Sequence, residues 1–290
     1  MTESVLPALP RRFASLVKLE HTVFALPFAY IGALLAVDGF PPASDLLWIT
    51  LVMVGARSVA MGLNRLIDAE IDAANPRTAM RELPAGRLSR AQVWAFCAGS
   101  LGLYVGASFQ LDPLVRWLLP IPLAGFLVYP YLKRWTWLCH FWLGAVDGLA
   151  PLGAWAAVTG ELPWEAFALG GAVACWVAGF DFFYSLFDVE VDLAQGLHSV
   201  ATRFGTRGAF VGARVLHALT VVLLASVGVG LRTGASYWVG VACVAGLLAY
   251  EHSLVHPGDL RRLNAAFFTV NGVIALVFLG FVAAEVGVHG

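Results

Sequence analysis

Two short stretches of this chain carry residues that could do chemistry. Near residue 64 it reads Asn64-x3-Asp68-x3-Asp72, and 120 positions later it reads Tyr184-x3-Asp188-x3-Asp192, with Asp181 just upstream. On a helix, steps of four drift by about 40° each, so each set shares one face. Arg57 falls on the face of the first set, about two turns deeper. Carboxylates beside an amide oxygen suit Mg²⁺, which prefers oxygen ligands and keeps water or phosphate oxygens in its shell. Arg77 and Arg81 follow the first set, and Lys133 and Arg134 lie between the two. Acidic clusters with basic neighbours suggest a metal-bridged polyphosphate. The metal joins carboxylates to the anion, and Arg and Lys hold its free oxygens.

The elements that must position these groups are membrane helices. The chain has 290 residues, is 59% hydrophobic and 13% charged, and has a mean hydropathy of +0.77. Apolar blocks of roughly 18–25 residues recur, long enough to cross a bilayer at about 1.5 Å per residue. No polar segment is long enough for a soluble domain. The expectation is an all-α, polytopic single domain over residues 1–290, with nine transmembrane helices in a bundle around a central cavity. The spans are expected at about 21–38, 46–67, 92–110, 114–132, 138–158, 164–188, 209–230, 236–254 and 265–286. The first is read as a retained span rather than a signal peptide. Pro27, Pro120, Pro122 and Pro151 are expected to kink their helices.

The basic residues test that count. With a cytoplasmic N-terminus, all 18 Lys and Arg except Arg57, Arg116 and Arg232 fall in cytoplasmic segments or at cytoplasmic span ends. Spans 2 and 6 then run the same way, and both aspartate sets end at one surface. Topology alone explains Arg11, Arg12, Lys18, Arg207, Arg214, Arg261 and Arg262. A net charge of −1 gives no footing for nucleic acid, and no protein partner is deducible. Cys97, Cys139, Cys175 and Cys243 sit in apolar runs and read as buried small hydrophobes. One DxxxD could be a solvated helix end. Two in register in a chain this poor in charge argue for a site, and for two weakly repeated halves, about 1–135 and 136–290.

These residues resemble the UbiA family of intramembrane prenyltransferases. The family's first motif reads roughly NDxxDxxxDxxxxRTxxRPLPxG. Asn64, Asp68, Asp72, Arg77, Thr78, Arg81, Leu83, Pro84 and Gly86 fit it, while Arg65 stands in place of Asp and Glu82 in place of Pro. A second motif resembles DxxYxxxDxxxDxxxGxxS, filled by Asp181, Tyr184, Asp188, Asp192, Gly196 and Ser199, followed by Arg203 and Gly205. The stretch 129–144 resembles the family's YPxxKRxTxxxQxxLG, with His140 in place of Gln.

The resemblance implies transfer of a polyprenyl chain from its diphosphate to an acceptor, with Mg²⁺ as cofactor between the motifs. It makes Asn64, Asp68, Asp188 and Asp192 the metal ligands, with Asp72 and Asp181 secondary. Arg77, Arg81, Lys133 and Arg134 would contact the diphosphate. Phe126, Tyr129 and Tyr131 are candidates to surround an allylic cation. Arg57 sits mid-span and needs an anion. It is similar to the group that receives an aromatic acceptor's carboxylate, with Asn64 beside it, and its other reading is an internal pair with Asp147 or Asp181. Asp147 could orient or deprotonate a phenol, or be a structural ion pair. The expected acceptor is 4-hydroxybenzoate, in respiratory quinone synthesis. A naphthoate such as 1,4-dihydroxy-6-naphthoate, in a menaquinone route, is the alternative, and a transporter the remote one. The location expected is the inner or plasma membrane, with lipid around the bundle and the site toward the cytoplasm.

Overall fold

The computed structural model describes residues 12–13, 15–16, 22–256 and 269–289. Long apolar runs in lipid must satisfy their backbone groups internally, and helices do this within one segment. The helices are α1 (Thr22–Val37), α2 (Ala43–Ile67), α3 (Ala69–Ala74), α4 (Arg90–Ser108), α5 (Pro113–Leu118), α6 (Pro120–Leu132), α7 (Cys139–Thr159), α8 (Trp164–Tyr184), α9 (Val189–Ala194), α10 (Val200–Leu231), α11 (Ala235–Leu254) and α12 (Asn271–His289).

Among the described residues, 6 helical segments are long and apolar enough to cross a membrane: α2, α5–α6 together, α7, α8 with the turn after it, α10 and α12. The expected count of nine is therefore not confirmed. Helix α1 shows only 16 residues within the described range, and α4 and α11 do not meet both measures. The first and last expected spans begin outside the described residues, as do Arg11, Lys18, Arg261 and Arg262. Pro27 and Pro151 lie inside their helices. Pro120 opens α6 instead of kinking it, a place where its missing N–H costs nothing.

Helix α8 is the inner post. It packs between α7 and α10, α7 packs on α1, and α1 on α12, while α11 joins α10 to α12 and α2 leans on α4 and α6. Between helices in lipid there is little hydrophobic gain, so close van der Waals contact must hold them. Gly144 and Gly148 on α7 supply it. Their Cα atoms approach the α8 carbonyls of Ala174 and Gly170 so closely that a Cβ would collide with the oxygen.

The aspartate sets do not lie on unbroken helices, contrary to the expected single stripes. Helix α2 stops at Asp68, whose backbone (φ −95°, ψ 7°) sits in the sparsely allowed bridge region. Helix α8 stops at Tyr184, four residues short of the expected end. A 3₁₀ turn over Ser185–Phe187 follows, and Asp188 adopts φ −113°, ψ 4°. A six-residue helix restarts at once in each case, α3 and α9.

Candidate active site

The two breaks form a matched pair. The N–H of Asp72 donates to the Asp68 carbonyl at 2.8 Å, and that of Asp192 to the Asp188 carbonyl at 2.7 Å. Each short helix leads to a glycine with positive φ, Gly86 (67°) and Gly196 (65°). Three residues later a serine caps the next long helix, Ser89 on α4 and Ser199 on α10, each in a reciprocal capping box. Two helix ends thus point carboxylates across one cleft.

The first wall is closed on itself. Asp68, 1% exposed, accepts from Lys133 Nζ at 2.6 Å, Asn64 Nδ2 at 3.2 Å and Arg134 Nη2 at 3.3 Å. Lys133 and Arg134 reach it from the C-terminal end of α6, where Arg134 also donates to the Ile67 carbonyl at 2.9 Å. Asp72 takes Arg81 Nη1 on both oxygens, at 2.7 and 2.8 Å.

The second wall is held from the first. Arg77 donates Nε to Asp188 Oδ1 at 2.8 Å, Nη2 to Oδ2, and Nη1 to the Tyr184 hydroxyl at 2.6 Å. Asn75 Nδ2 adds a bond to Asp188 Oδ1 at 2.9 Å, and Asn75 Oδ1 accepts the Arg77 backbone N–H. Burial alone would push Asp188 up. Arg77 and Asn75 outweigh it and hold the carboxyl below its ordinary range. Burial opposes the charge on Arg77 too, but Asp188 and Tyr184 keep its proton bound more tightly than usual. The side chain of Asp192 has no hydrogen-bond or ion-pair partner among the described residues. Burial and the Asp188 charge push it up to about 6.

Asp181 meets His140 instead of the other carboxylates, with Oδ2 2.7 Å from Nδ1. The Val200 N–H donates to His140 Nε2 at 3.1 Å, so Nδ1 carries the proton toward Asp181. A glutamine amide could also donate and accept in this way, which explains how His140 occupies a Gln position.

Three cavities follow one another inward. The mouth, about 160 Å³, is lined by both motifs, including Asn64, Asp68, Asp72, Arg77, Arg81, Lys133, Asp181, Asp188 and Asp192. A second, about 220 Å³, shares Asn64, Arg81, Tyr129, Asp181 and Tyr184 with it and adds Arg57, Phe126 and Asp147. A third, about 130 Å³, shares Arg57, Phe126 and Asp147 and is otherwise apolar, with Ile49, Val52, Met53 and Leu118. Arg57 and Asp147 stand at the join. No ion pair links Arg57 to Asp147 or Asp181 among the described residues, and its buried Nε has no acceptor. That leaves Arg57 able to receive an outside anion. Phe126 and Tyr129 line the cavities. Tyr131 lines none of the three and stacks on Trp135.

The donor chemistry of the mouth fits a divalent cation that arrives with an anion. Asn64, Asp68, Asp72, Asp181, Asp188 and Asp192 offer only oxygen, as Mg²⁺ prefers. No group of three or more His, Cys, Asp or Glu among the described residues is gathered tightly enough to hold a metal by itself. Asp68, Asp72 and Asp188 are each neutralised by Lys or Arg of the same chain. An incoming metal–polyphosphate could exchange those partners pairwise, phosphate taking the basic groups and metal the carboxylates.

Sequence reasoning missed Asn75, which the Asn-Pro turn signal at 75–76 could have raised. It treated Arg65 and Glu82 only as departures from a pattern, yet Arg65 lines the second cavity.

The model of the UbiA prenyltransferase family matches residues 25–281. A 4-hydroxybenzoate octaprenyltransferase of Xanthomonas euvesicatoria is 33% identical over 87% of this chain and 84% of its own length. Another from Cupriavidus necator is 30% identical over 94% of this chain and 96% of its own length. Among solved structures, the apo UbiA homolog from Aeropyrum pernix K1 superposes with a TM-score of 0.83 at 31% identity, covering 92% of this chain and 98% of that one. A UbiA homolog from Archaeoglobus fulgidus bound to GPP and Mg²⁺ shares the fold with a TM-score of 0.75 at 19% identity, covering 95% and 99%.

Proposed function

The chain belongs to the UbiA prenyltransferase family, and from that premise we propose that it prenylates a hydroxylated aromatic acid, 4-hydroxybenzoate foremost, for respiratory quinone synthesis. The polyprenyl group comes from a polyprenyl diphosphate and joins the ring carbon ortho to the hydroxyl. The observation that carries this reading is the run of cavities, from paired acidic and basic walls to an apolar chamber with Arg57 and Asp147 at the join. The names of the relatives at 30–33% identity support the same acceptor. One unit, residues 1–290, does this, its halves (about 1–135 and 136–290) each giving one wall. The mouth faces the cytoplasm from the inner or plasma membrane.

Mg²⁺ would be held by Asn64, Asp68, Asp188 and Asp192, with Asp72 and Asp181 secondary, and would supply Lewis-acid stabilisation of the leaving diphosphate. Arg77, Arg81, Lys133 and Arg134 let go of their carboxylates and hold the free phosphate oxygens. The charge that develops as the C1–O bond ionises thus finds donors already in place. The electron-rich faces of Phe126 and Tyr129 stabilise the allylic cation. Arg57 fixes the acceptor's carboxylate by a forked contact. Asp147 accepts the phenol hydrogen bond and raises electron density at the ortho carbon. The apolar chamber takes the tail and keeps out water that would quench the cation.

The test is a product assay on purified protein with Mg²⁺ and a polyprenyl diphosphate, offering 4-hydroxybenzoate and 1,4-dihydroxy-6-naphthoate side by side. The expected result is ortho-prenylated hydroxybenzoate by mass, with no product after chelation. Naphthoate product alone would move the acceptor and leave the clamp standing. Activity in thoroughly chelated protein would remove the metal from the mechanism.

A further inference from the structure

Arg65 and Glu82, the two positions where the first motif departs from the family pattern, belong to one electrostatic unit. Arg65 is 3% exposed at the end of α2. Its Nη1 donates to Asn64 Oδ1 at 3.4 Å and lies 3.9 Å from Asp72 Oδ2, whose two oxygens are already bonded to Arg81. Its Nε is buried with no acceptor. A desolvated guanidinium N–H without a partner is costly unless an acceptor arrives. Arg65 lines the second cavity beside Asn64, Arg81 and Tyr184, so the acceptor can come from a ligand. Glu82, 7% exposed, takes a hydrogen bond from Ser15 at 2.6 Å and makes no ion pair with Arg65 among the described residues; its charge acts on Arg65 at longer range, in the same sense as that of Asp72 and against that of Arg81.

We propose that Arg65 is a built-in cation of the diphosphate clamp, donating to an anionic phosphate oxygen, with Glu82 as its resting counter-charge. The inference rests on the clamp reading above. A carboxylate at position 65 could act on a phosphate only through a metal ion. A guanidinium acts on it directly, so Arg65 adds to the metal-independent part of the diphosphate affinity that Arg77, Arg81, Lys133 and Arg134 also supply. Glu82 offsets the excess positive charge while no anion is bound.

Calorimetry of inorganic pyrophosphate binding to the full chain, in EDTA and in Mg²⁺, tests this, with 4-hydroxybenzoate titrated separately. Wild type is expected to bind pyrophosphate in EDTA and more tightly in Mg²⁺. Arg65→Met should lose at least about tenfold of the EDTA affinity, about 1.4 kcal/mol, and keep its gain from Mg²⁺. Glu82→Gln should tighten EDTA binding several-fold, and it decides the matter if the Arg65 variant does not fold. EDTA affinity of Arg65→Met within twofold of wild type overturns the proposal, as does an unchanged Glu82→Gln. Loss of hydroxybenzoate binding alone would also overturn it, giving Arg65 to the acceptor's carboxylate. Wild type that binds pyrophosphate in neither buffer would bring down the clamp reading together with this one. Pyrophosphate bound only with Mg²⁺ would bring down the Arg65 assignment together with the direct phosphate contacts of the other four cations, whereas an unchanged Arg65→Met brings down Arg65 alone.

Discussion

The Asp68 and Asp188 junctions share a backbone and differ in what holds them. Both interrupt a long helix at near-identical dihedrals and restart a six-residue one. Asp68 and Asp72 are almost wholly buried and satisfied by groups around them: Lys133, Arg134, Asn64 and Arg81. Asp188 is more open, with a side chain 16% exposed, and depends on Arg77 and Asn75 reaching across from the other wall. The Asp192 side chain has no hydrogen-bond or ion-pair partner among the described residues. One wall is therefore pre-assembled, and the other is tethered to it by a contact that an anion can take over. Ligands compete most easily where the protein's own pairing is most exposed, since water screens such pairs and lowers their worth.

The largest effect comes from removing either junction carboxylate. Asp68→Ala and Asp188→Ala should each lower turnover by about 10³-fold, the range seen when a transition-state stabiliser is lost. The comparison separates them by stability. Asp68→Ala strands two cations, Lys133 and Arg134, and empties a site whose side chain is 2% exposed, which should cost about 1–3 kcal/mol, whereas Asp188→Ala strands Arg77 alone and removes a carboxylate that is already 16% exposed. Thermal unfolding in one detergent would show it. Equal melting temperatures would break the distinction between the walls.

Arg77→Ala comes next. It removes the cross-wall tether and one diphosphate contact, so KM for the prenyl diphosphate should rise by about tenfold to a hundredfold. The Asp188 carboxyl should move up toward its ordinary value as its largest stabilising partner goes. Infrared titration of the carboxylate band would detect that move. A KM within twofold of wild type would mean the tether serves the fold only.

The two walls were legible in sequence. The DxxxD spacing, its repetition after 120 residues and the basic residues around it located both walls and the cations that lie between them. Which cation meets which carboxylate was not, because that depends on how helix ends turn. A four-residue step reads as a smooth helix, and nothing local announces a bridge-region break at Asp68 or Asp188. The contacts of Asn75 and Arg77 with Asp188 span 113 and 111 residues, beyond any periodicity. The span count of nine is not confirmed, for a related reason. Shorter or less apolar segments such as α1, α4 and α11 still pack in the bundle, and hydropathy cannot by itself rank them against the six stronger ones.

The uncommitted Asp192 gives a smaller, pH-dependent effect. Burial and the Asp188 charge push its carboxyl up to about 6, above the ordinary carboxylate range. A raised carboxyl pKa means that the folded state binds the proton more tightly than the unfolded one. Between roughly pH 4 and 6 the metal-free protein should therefore lose a little stability as pH rises, and Asp192→Asn should remove that slope. Metal binding needs the ionised form, so the Mg²⁺ concentration for half-activity should climb as pH falls below about 6. Mg²⁺ titrations at several pH values check this. A requirement flat down to pH 5 would take Asp192 out of the ligand set.

The smallest effect sharpens the comparison at the next helix starts. Ser89 and Ser199 make the same capping box, but Ser89 is exposed whereas Ser199 is buried at the edge of the mouth. Losing a serine cap costs about 1 kcal/mol. Ser89→Ala should show that loss in melting temperature and leave turnover unchanged. Ser199→Ala should match or exceed it in stability. It should also slow turnover by a few-fold, because the first turn of α10 carries the Val200 N–H that fixes His140 against Asp181. Identical turnover for the two variants would mean that the first turn of α10 does not position Asp181, and that the second wall is set by Arg77 and Asn75 alone.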